Sequence, residues 1–240
     1  MHLKTLVFFL LVSLPIHALV WPVGSPPLST DAPGPMRQAG SVHYSLFKVL
    51  GGSCVLISDR HLLTAAHGTR KWTASQLHIR LPHLTASKNH PVASIKNHPK
   101  ADLALLTLKN PLSNLPTLTP LVKKPPRKGT LVWLGGFGLS GPLGTPTLPG
   151  TFHHGTSQIQ GHRRDRLILR LPPKAPEMFP AVATAAAAKM DSGSPLFLYH
   201  RGQWHLAGLA LTSNHRLTQT NQPIRNTYLD LARYRTWIRP

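Results

Sequence analysis

Three residues in this chain have the types and the order needed for nucleophilic catalysis by a serine. Ser192 lies in the turn-forming sequence DSG, between Asp191 and Gly193 and after a run of small residues. A neutral serine hydroxyl is a weak nucleophile near neutral pH, so it needs an imidazole to take its proton and a carboxylate to orient that imidazole. His67 ends the apolar sequence LLTAAH and Asp102 begins the apolar sequence DLALL, so the chain carries a candidate for each role.

The combination of the three segments is more informative than any one of them. DSG is a common turn sequence, and His67 is one of fifteen histidines. Carboxylates are scarce, however: the chain has seven, and two of them, Asp102 and Asp191, fall within these segments. Asp102 alone would be an exposed charge at a strand edge. The apolar sequence after it instead favours a carboxylate drawn partly out of water, where it stabilises a protonated imidazole.

The segments LTAAH, DLALL and DSGSP, in this order, resemble the signatures of the chymotrypsin-like (trypsin-fold) serine peptidases, in a secreted member of the bacterial type. The resemblance runs from Val42 to the C-terminus, where YLDLARYRTWI is similar to the closing strand and final helix of that family. It implies an all-β fold of two six-stranded antiparallel β-barrels with a C-terminal helix. It also implies a secreted serine endopeptidase that acts on protein or peptide substrates through an acyl-enzyme, as a monomer and without a metal or other cofactor.

The resemblance assigns a role to each catalytic residue. Ser192 is the nucleophile, His67 is the general base and then acid, and Asp102 orients the imidazole. The amide N–H groups of Met190 and Ser192 form the oxyanion hole. Where Met190 stands, the family almost always has glycine, and a side chain there narrows the allowed backbone angles. Because loss of one oxyanion donor costs about 2.7–4 kcal/mol, we expect Met190 to reduce the activity.

Specificity and activation are also inferred from the resemblance. The substrate-binding residues are Ala186, Leu211, Thr212 and Ser213, and the absence of a carboxylate at Ala186 predicts a small or medium apolar side chain before the scissile bond. In the digestive members of the family, a freed Ile or Val terminus pairs with the acid that corresponds to Asp191. The chain has no Arg-Ile-Val-Gly-Gly junction, and cleavage after Arg37 would leave a glutamine as the new end. We therefore expect Asp191 to pair with an internal cation.

The order of compositions along the chain predicts four segments. Residues 1–18 have a basic start, an apolar run and a small residue at Ala18, which is typical of an export signal and predicts a secreted or periplasmic product. Residues 19–40, rich in Pro, Gly and Ser, predict an irregular leader or short propeptide. Residues 41–122 form the N-terminal barrel with His67 and Asp102. Residues 123–240 form the C-terminal barrel with Ser192 and the terminal helix.

Cys54 is the one cysteine of the chain. In the family, a cysteine at this place usually bridges to one directly after the catalytic histidine, where this chain has Gly68. We interpret Cys54 as a buried apolar residue, with a reactive or dimer-forming thiol as the alternative. The adjacent His153 and His154 are interpreted as solvated residues and not as metal ligands, because neighbours on an extended strand point in different directions.

The formal net charge of +20 predicts nonspecific attraction to anionic polymers or surfaces. No zinc-finger, helix-turn-helix or RNA-recognition signature accompanies this charge, so a general solubility or composition effect is the simpler interpretation. The sequence GGFGLSG lacks the Gly-Lys-Ser/Thr ending of a phosphate-binding loop. Two further functions stay open: a weak or inactive peptidase homologue that acts as a basic binding module, and an exported nucleic-acid or glycan binder of unrelated fold.

Overall fold

Two closed barrels of antiparallel strands make up most of the computed structural model, which describes residues 19–22, 25, 28–45, 49–86, 88–142, 149–171, 184–213 and 224–239. Each barrel has six strands, and a C-terminal helix follows the last of them. The predicted all-β fold of two six-stranded barrels is therefore confirmed. A two-residue strand, β1 (Val20–Trp21), precedes both barrels.

The N-terminal barrel is closed by six strands in the order β2-β3-β4-β7-β6-β5. These are β2 (Ala39–Tyr44), β3 (Val49–Leu56), β4 (His61–Thr64), β5 (Leu77–Arg80), β6 (Asn89–Asn97) and β7 (Ala104–Leu108). β5 shows why such sequences form strands, because the buried Leu77 and Ile79 alternate with the more exposed His78 and Arg80. Successive side chains of a strand point to opposite faces, so this alternation fills the barrel on one side only.

The C-terminal barrel is closed in the order β10-β11-β14-β13-β12-β8. Its strands are β8 (Leu131–Gly136), β10 (His153–Arg163), β11 (Arg166–Leu171), β12 (Pro195–His200), β13 (Gln203–Ser213) and β14 (Ile224–Asp230). A further short strand, β9 (Gly141–Pro142), lies outside the barrel and pairs in parallel with β1. The segments that surround the candidate nucleophile lie in the β8–β9 and β11–β12 connections of this half of the chain.

Helical structure in the described residues is confined to short segments. Two α-helical turns, α1 (Pro82–Thr85) and α2 (Arg235–Ile238), are accompanied by 3-10 helices at Gly34–Gln38, Ala66–Gly68, Ala74–Gln76 and Leu231–Tyr234. The last 3-10 helix begins where the Asp230 carboxylate accepts the N–H of Ala232 at 3.1 Å, and it continues directly into α2. This end of the chain is the closing strand and helix expected from the sequence.

One apolar cluster joins the two barrels and fixes the cleft between them. It combines Leu63 and Leu103 of the N-terminal half with Phe197, Leu209 and Leu229 of the C-terminal half, all of them fully buried. Complete burial of a side chain of this size contributes roughly 1.5–3 kcal/mol. The cluster thus holds β4 and β7 against β12 and β13. The candidate histidine follows β4, and the candidate aspartate precedes β7.

The described residues of the segment 19–40, which was expected to be an irregular leader, are part of the folded body. Leu19, Val20 and Trp21 are almost completely buried, and Met36, in the 3-10 helix, packs into the cluster between the barrels. The expectation relied on the Pro, Gly and Ser content of the segment. The large apolar side chains that the structure describes in this segment decide the outcome, because Leu19, Val20, Trp21, Leu28 and Met36 are all buried.

Cys54 is fully buried in the core of the N-terminal barrel, which agrees with its interpretation as an apolar residue. Burial raises the pKa of its thiol, so the reactive thiolate is disfavoured. Across the described ranges of the chain, every helix is too short to cross a lipid bilayer.

Candidate active site

His67 occupies a short 3-10 turn that leaves the end of β4. The turn is held from both sides: the Thr64 hydroxyl donates to the carbonyl of Ser53 at 2.7 Å, and the Tyr44 hydroxyl donates to the carbonyl of Gly68 at 2.8 Å. The His67 side chain remains 46% exposed at the surface of the cleft. The backbone on either side of His67 is therefore held in place, and the imidazole itself is open to a substrate.

Asp102 precedes β7 and holds His67 by two hydrogen bonds. Its Oδ1 accepts the backbone N–H of His67 at 2.8 Å, and its Oδ2 lies 2.7 Å from His67 Nδ1. Burial alone would raise the pKa of this carboxyl. The hydrogen bonds and charge of His67, with a contribution from the charge of Arg166, outweigh burial and lower the pKa. Asp102 is thus an ionised acceptor near neutral pH.

Ser192 completes a continuous line of hydrogen bonds, with its Oγ 2.8 Å from His67 Nε2. An ionised carboxylate can only accept, so the hydrogen between Asp102 and His67 belongs to Nδ1. In a neutral imidazole, Nε2 then has a free lone pair and accepts the hydroxyl hydrogen of Ser192. The three predicted residues are brought together in the geometry that removes a proton from the serine.

The turn around Ser192 is fixed by backbone hydrogen bonds to both neighbouring strands. The carbonyl of Ser192 accepts the N–H of Ser53 at 2.9 Å, and the N–H of Gly193 donates to the carbonyl of Ala210 at 2.8 Å. Gly193 has φ +87°, and a Cβ there would overlap Ser53 O and Thr64 Oγ1. Position 193 therefore requires glycine for its backbone angle and for its close approach to β3 and β4.

Met190 adopts the left-handed backbone conformation, with φ +71°. Among the described residues, neither its amide N–H nor that of Ser192 donates to a backbone oxygen. A residue with a Cβ pays roughly 1–2 kcal/mol for this conformation. A side chain at position 190 was expected to narrow the allowed backbone angles, and Met190 lies in a region of those angles that is costly for a residue with a Cβ.

Asp191 is fully buried beneath the same turn. Its Oδ1 accepts the N–H of Gly138 at 3.1 Å, and its Oδ2 accepts the N–H of Ala188 at 3.0 Å. Burial raises the pKa of this carboxyl to about 7, against the smaller opposing effect of these two hydrogen bonds. No Lys, Arg or His side chain within the described ranges pairs with the Asp191 carboxylate. The prediction that Asp191 pairs with an internal cation is therefore wrong for this part of the chain.

The four predicted substrate-binding residues lie on two segments with different exposure. Ala186 is 2% exposed and exchanges two backbone hydrogen bonds with Val20, each 2.9 Å long. Leu211 is buried in the cluster between the barrels, whereas Thr212 is exposed and Ser213 is half-buried at the end of β13. Residues 172–183 and 214–223, which lead into and out of these segments, lie outside the described residues.

Several supporting residues were not identified from the sequence. Thr64 and Ser53 fix the histidine and serine turns, and Gly136 leaves the space that the Asp191 carboxylate occupies. The sequence GGSC contained a signal for Ser53, because two glycines before a small polar residue indicate close backbone approach. The role of Gly136 has no local signal, since its neighbour Asp191 is distant in sequence.

The two adjacent histidines of β10 are half-buried rather than solvated. Burial lowers the pKa of both His153 and His154 and so favours their neutral forms. In the portion of the chain that the structure describes, no three His, Cys, Asp or Glu side chains form a group that could hold a metal ion.

Two barrels with a serine, an imidazole and a carboxylate hydrogen-bonded in series across their cleft define the class of serine hydrolases. The family model of the trypsin-like peptidase domain matches residues 52–209, and the chain belongs to this family. Comparison with curated proteins returned no match. The family makes the protein a peptidase of the serine type with the chymotrypsin-like fold.

Proposed function

We propose that the protein is a secreted serine endopeptidase that cleaves peptide bonds through an acyl-enzyme at Ser192. The observation that carries the proposal is the unbroken line from Ser192 Oγ through His67 to Asp102, with contacts of 2.8 and 2.7 Å. Both contacts are within the range at which a general base accepts a proton.

Acylation begins when Ser192 Oγ attacks the carbonyl carbon of the scissile bond and its proton moves to His67 Nε2. The imidazolium is stabilised by Asp102, which is ionised because the contacts of His67 lower its pKa. The N–H groups of Met190 and Ser192 donate to the oxyanion. His67 then gives the proton to the leaving amine, the C–N bond breaks, and a water activated by the same imidazole hydrolyses the ester.

The substrate preference proposed is a small or medium apolar side chain before the scissile bond. Ala186, Ala187 and Ala188 form the buried approach to the serine turn, and none of them offers a charge to a basic substrate. Thr212 and Ser213, at the end of β13, are the segment that would pair with the substrate backbone. An apolar substrate side chain loses no hydrogen bonds when it leaves water, so it suits such surroundings.

The second candidate is a weak or inactive homologue that uses its basic surface to bind anionic polymers. The left-handed conformation of Met190 favours it, because a strained residue in the oxyanion loop can leave the working conformation. A strongly positive chain would still attract polyanions without any catalysis.

Digestion of a peptide mixture by the purified protein tests the proposal. Wild type is expected to produce internal cleavages after small or medium apolar residues, identified by mass spectrometry. Ser192→Ala, purified in the same way, is expected to produce none, which excludes a contaminating peptidase. Equal cleavage by both proteins, or cleavage by neither, would favour the binding-module candidate.

A further inference from the structure

We propose that an arginine-rich face of the C-terminal barrel binds an acidic segment of the substrate polypeptide, on the amino-terminal side of the scissile bond. The binding defines a class of substrates, so it rests on the proposed peptidase function. It is noncovalent and can also be measured without cleavage. We call this surface the arginine face, and it consists of Arg163, Arg164, Arg166, Arg170, Arg225 and Arg233.

The register of β10, β11 and β14 brings arginines together in two cross-strand pairs. Arg163 of β10 lies directly opposite Arg166 of β11. Arg170 of β11 lies directly opposite Arg225 of β14. Opposed side chains of an antiparallel pair share one face of the sheet, with Cβ atoms about 4.5–5.5 Å apart. The leucines of β11 alternate with its arginines and are buried, so both pairs lie on the outer face of the barrel.

This arrangement concentrates positive charge and lowers the stability of the sheet. Like charges in directly opposite positions repel each other across the strands. The tip of the β10–β11 hairpin adds a second unfavourable feature, because Arg164 adopts the left-handed conformation with φ +55°. Glycine or asparagine is favoured in that conformation, and an arginine there is strained. A bound anionic partner would offset the repulsion between the arginines.

Two carboxylates lie against the arginine face, and other groups already bind both of them. Asp165 Oδ1 is 3.6 Å from Arg166 Nε, and Asp165 Oδ2 accepts the Tyr234 hydroxyl at 2.6 Å. Arg233 Nε donates to Asp230 Oδ2 at 3.3 Å, and the Asp230 side chain is 1% exposed. These carboxylates therefore do not neutralise the arginines that point to solvent.

The exposed arginines determine the chemistry of the partner. Arg163, Arg164 and Arg170 are exposed, and within the described ranges none of them pairs with a carboxylate. A guanidinium group is a rigid fork of N–H donors that matches a carboxylate. The two arginine pairs are separated by four residues of β11, or about 13 Å. An extended chain presents side chains on one side about every 6.6 Å, so an acidic segment of about five residues spans both pairs.

The arginine face continues into the strand that would hold the substrate. Thr212 of β13 lies opposite Thr227 of β14, and their hydroxyls are hydrogen-bonded. Arg225 is two residues from Thr227 and therefore on the same outer face, about 6.6 Å further along the strand. Ser213 pairs with Asn226, so the row of Arg225 follows directly beyond the end of β13. A substrate held by Thr212 and Ser213 before its scissile bond would thus extend onto the arginines.

This continuity favours a polypeptide as the partner over a nucleic acid or a polysaccharide. Within the described residues, the outer face of β10, β11 and β14 carries no Phe, Tyr or Trp on which a base could stack. A polypeptide that is already bound in the cleft needs only an acidic segment to reach the arginine face.

The experiment compares three fluorogenic peptides that share one cleavage site, taken from the peptide digestion. The acidic peptide has about five glutamates before the site, the length that spans both arginine pairs. The neutral peptide has glutamines at those positions, and the reversed peptide has the glutamates after the site. The readouts are KM and kcat. Binding without cleavage is followed by the fluorescence anisotropy of the same peptides with Ser192→Ala.

The acidic peptide is expected to have a KM roughly 5- to 30-fold lower than the neutral peptide at low salt, with similar kcat, because several exposed ion pairs together supply such a factor. The difference should largely disappear at about 1 M salt, where the screening length falls to about 3 Å. The reversed peptide should behave like the neutral one, because the arginines lie on the amino-terminal side of the site.

Charge reversal on the face tests the assignment. The double variant Arg163→Glu with Arg170→Glu should lose the preference for the acidic peptide and prefer a peptide with lysines at the same positions. The matched control is Lys88→Glu with Lys109→Glu, which changes the net charge equally at exposed positions of the N-terminal barrel. This control should keep the preference. If the arginine double variant does not fold, Arg163→Gln and Arg170→Gln should each reduce the preference.

Equal KM values for the acidic and neutral peptides, or a preference that the arginine variants keep, would overturn the proposal. If no peptide is cleaved, the proposed function fails, and anisotropy with Ser192→Ala still decides whether the arginine face binds the acidic peptide. Binding of heparin that the arginine variants lose, without any preference among the peptides, would identify a polysaccharide site and would also overturn the proposal.

Discussion

Replacement of Met190 by glycine is expected to increase peptide hydrolysis. Met190 has φ +71°, in a region that costs a residue with a Cβ roughly 1–2 kcal/mol. Glycine adopts this conformation without that cost. Relief of the strain favours the working turn over alternatives within the folded protein by a factor of roughly 5–30. The peptide kcat/KM of Met190→Gly should rise by up to this factor.

The melting temperature should change much less than the activity. Glycine loses about 0.5–1 kcal/mol more conformational free energy on folding than alanine does, which offsets most of the relieved strain in the free energy of unfolding. Activated esters have a better leaving group and depend less on the oxyanion hole, so their hydrolysis should rise less than that of peptides. The assay is therefore the ratio of peptide to ester kcat/KM, with Tm measured in parallel.

Met190→Ala is the matched control for this prediction. Alanine keeps the Cβ and hence the strain, but it removes the rest of the methionine side chain, which packs beside the cluster between the barrels. We expect Met190→Ala not to gain activity. A gain equal to that of the glycine variant would show that side-chain bulk is limiting. A loss of activity in Met190→Gly would refute the reasoning, because the methionine side chain would then be needed to hold the turn.

Three further predictions concern the triad, the turn and the charge. Asp102→Asn should lower kcat on the order of 10⁴-fold, because an amide cannot enforce the Nδ1–H tautomer of His67. The pKa of Asp102 is lowered from 3.8 in the folded protein. The ionised carboxylate therefore stabilises the fold above pH 3.8, and this stabilisation is lost as the pH falls through the lowered pKa. When unfolding is measured as a function of acid pH, Asp102→Asn should lose less stability than the wild type. Gly193→Ala should lower Tm sharply, since its Cβ would overlap Ser53 O, and an unchanged Tm would contradict the described turn. Binding of Ser192→Ala to heparin should weaken steeply between 50 and 200 mM salt, roughly tenfold or more, and salt-independent binding would exclude the net charge as its cause.

The two barrels and the three reacting side chains were predictable because the short segments LTAAH, DLALL and DSGSP resemble the signatures of a known family. The strands beside the site are short apolar sequences that are mostly buried: His67 follows β4, and Asp102 precedes β7. The line of hydrogen bonds between them then follows from closing the two barrels against a shared apolar cluster. The glycine at position 193 was also visible as part of the DSG turn.

The environment of Asp191 was not predictable in the same way. The chain has no junction of the digestive type, and the prediction of an internal cation beside Asp191 is wrong for the described residues. The burial of Leu19 and Val20 depends on pairing with Gly141 and Ala186, which are more than a hundred residues away. Local composition, dominated by the prolines and glycines that follow, pointed to an irregular leader. Only tertiary contacts show that its first residues are buried.

Mapping the site of fluorophosphonate attachment tests the central claim most directly. Because His67 Nε2 is positioned to remove the proton of Ser192 Oγ, the wild type should carry one adduct, located on Ser192 by peptide mass spectrometry. His67→Ala, folded to the same Tm within a few degrees, should carry none under the same conditions. An adduct at another residue, or equal labelling of Ser192 in His67→Ala, would contradict the claim that His67 activates this serine.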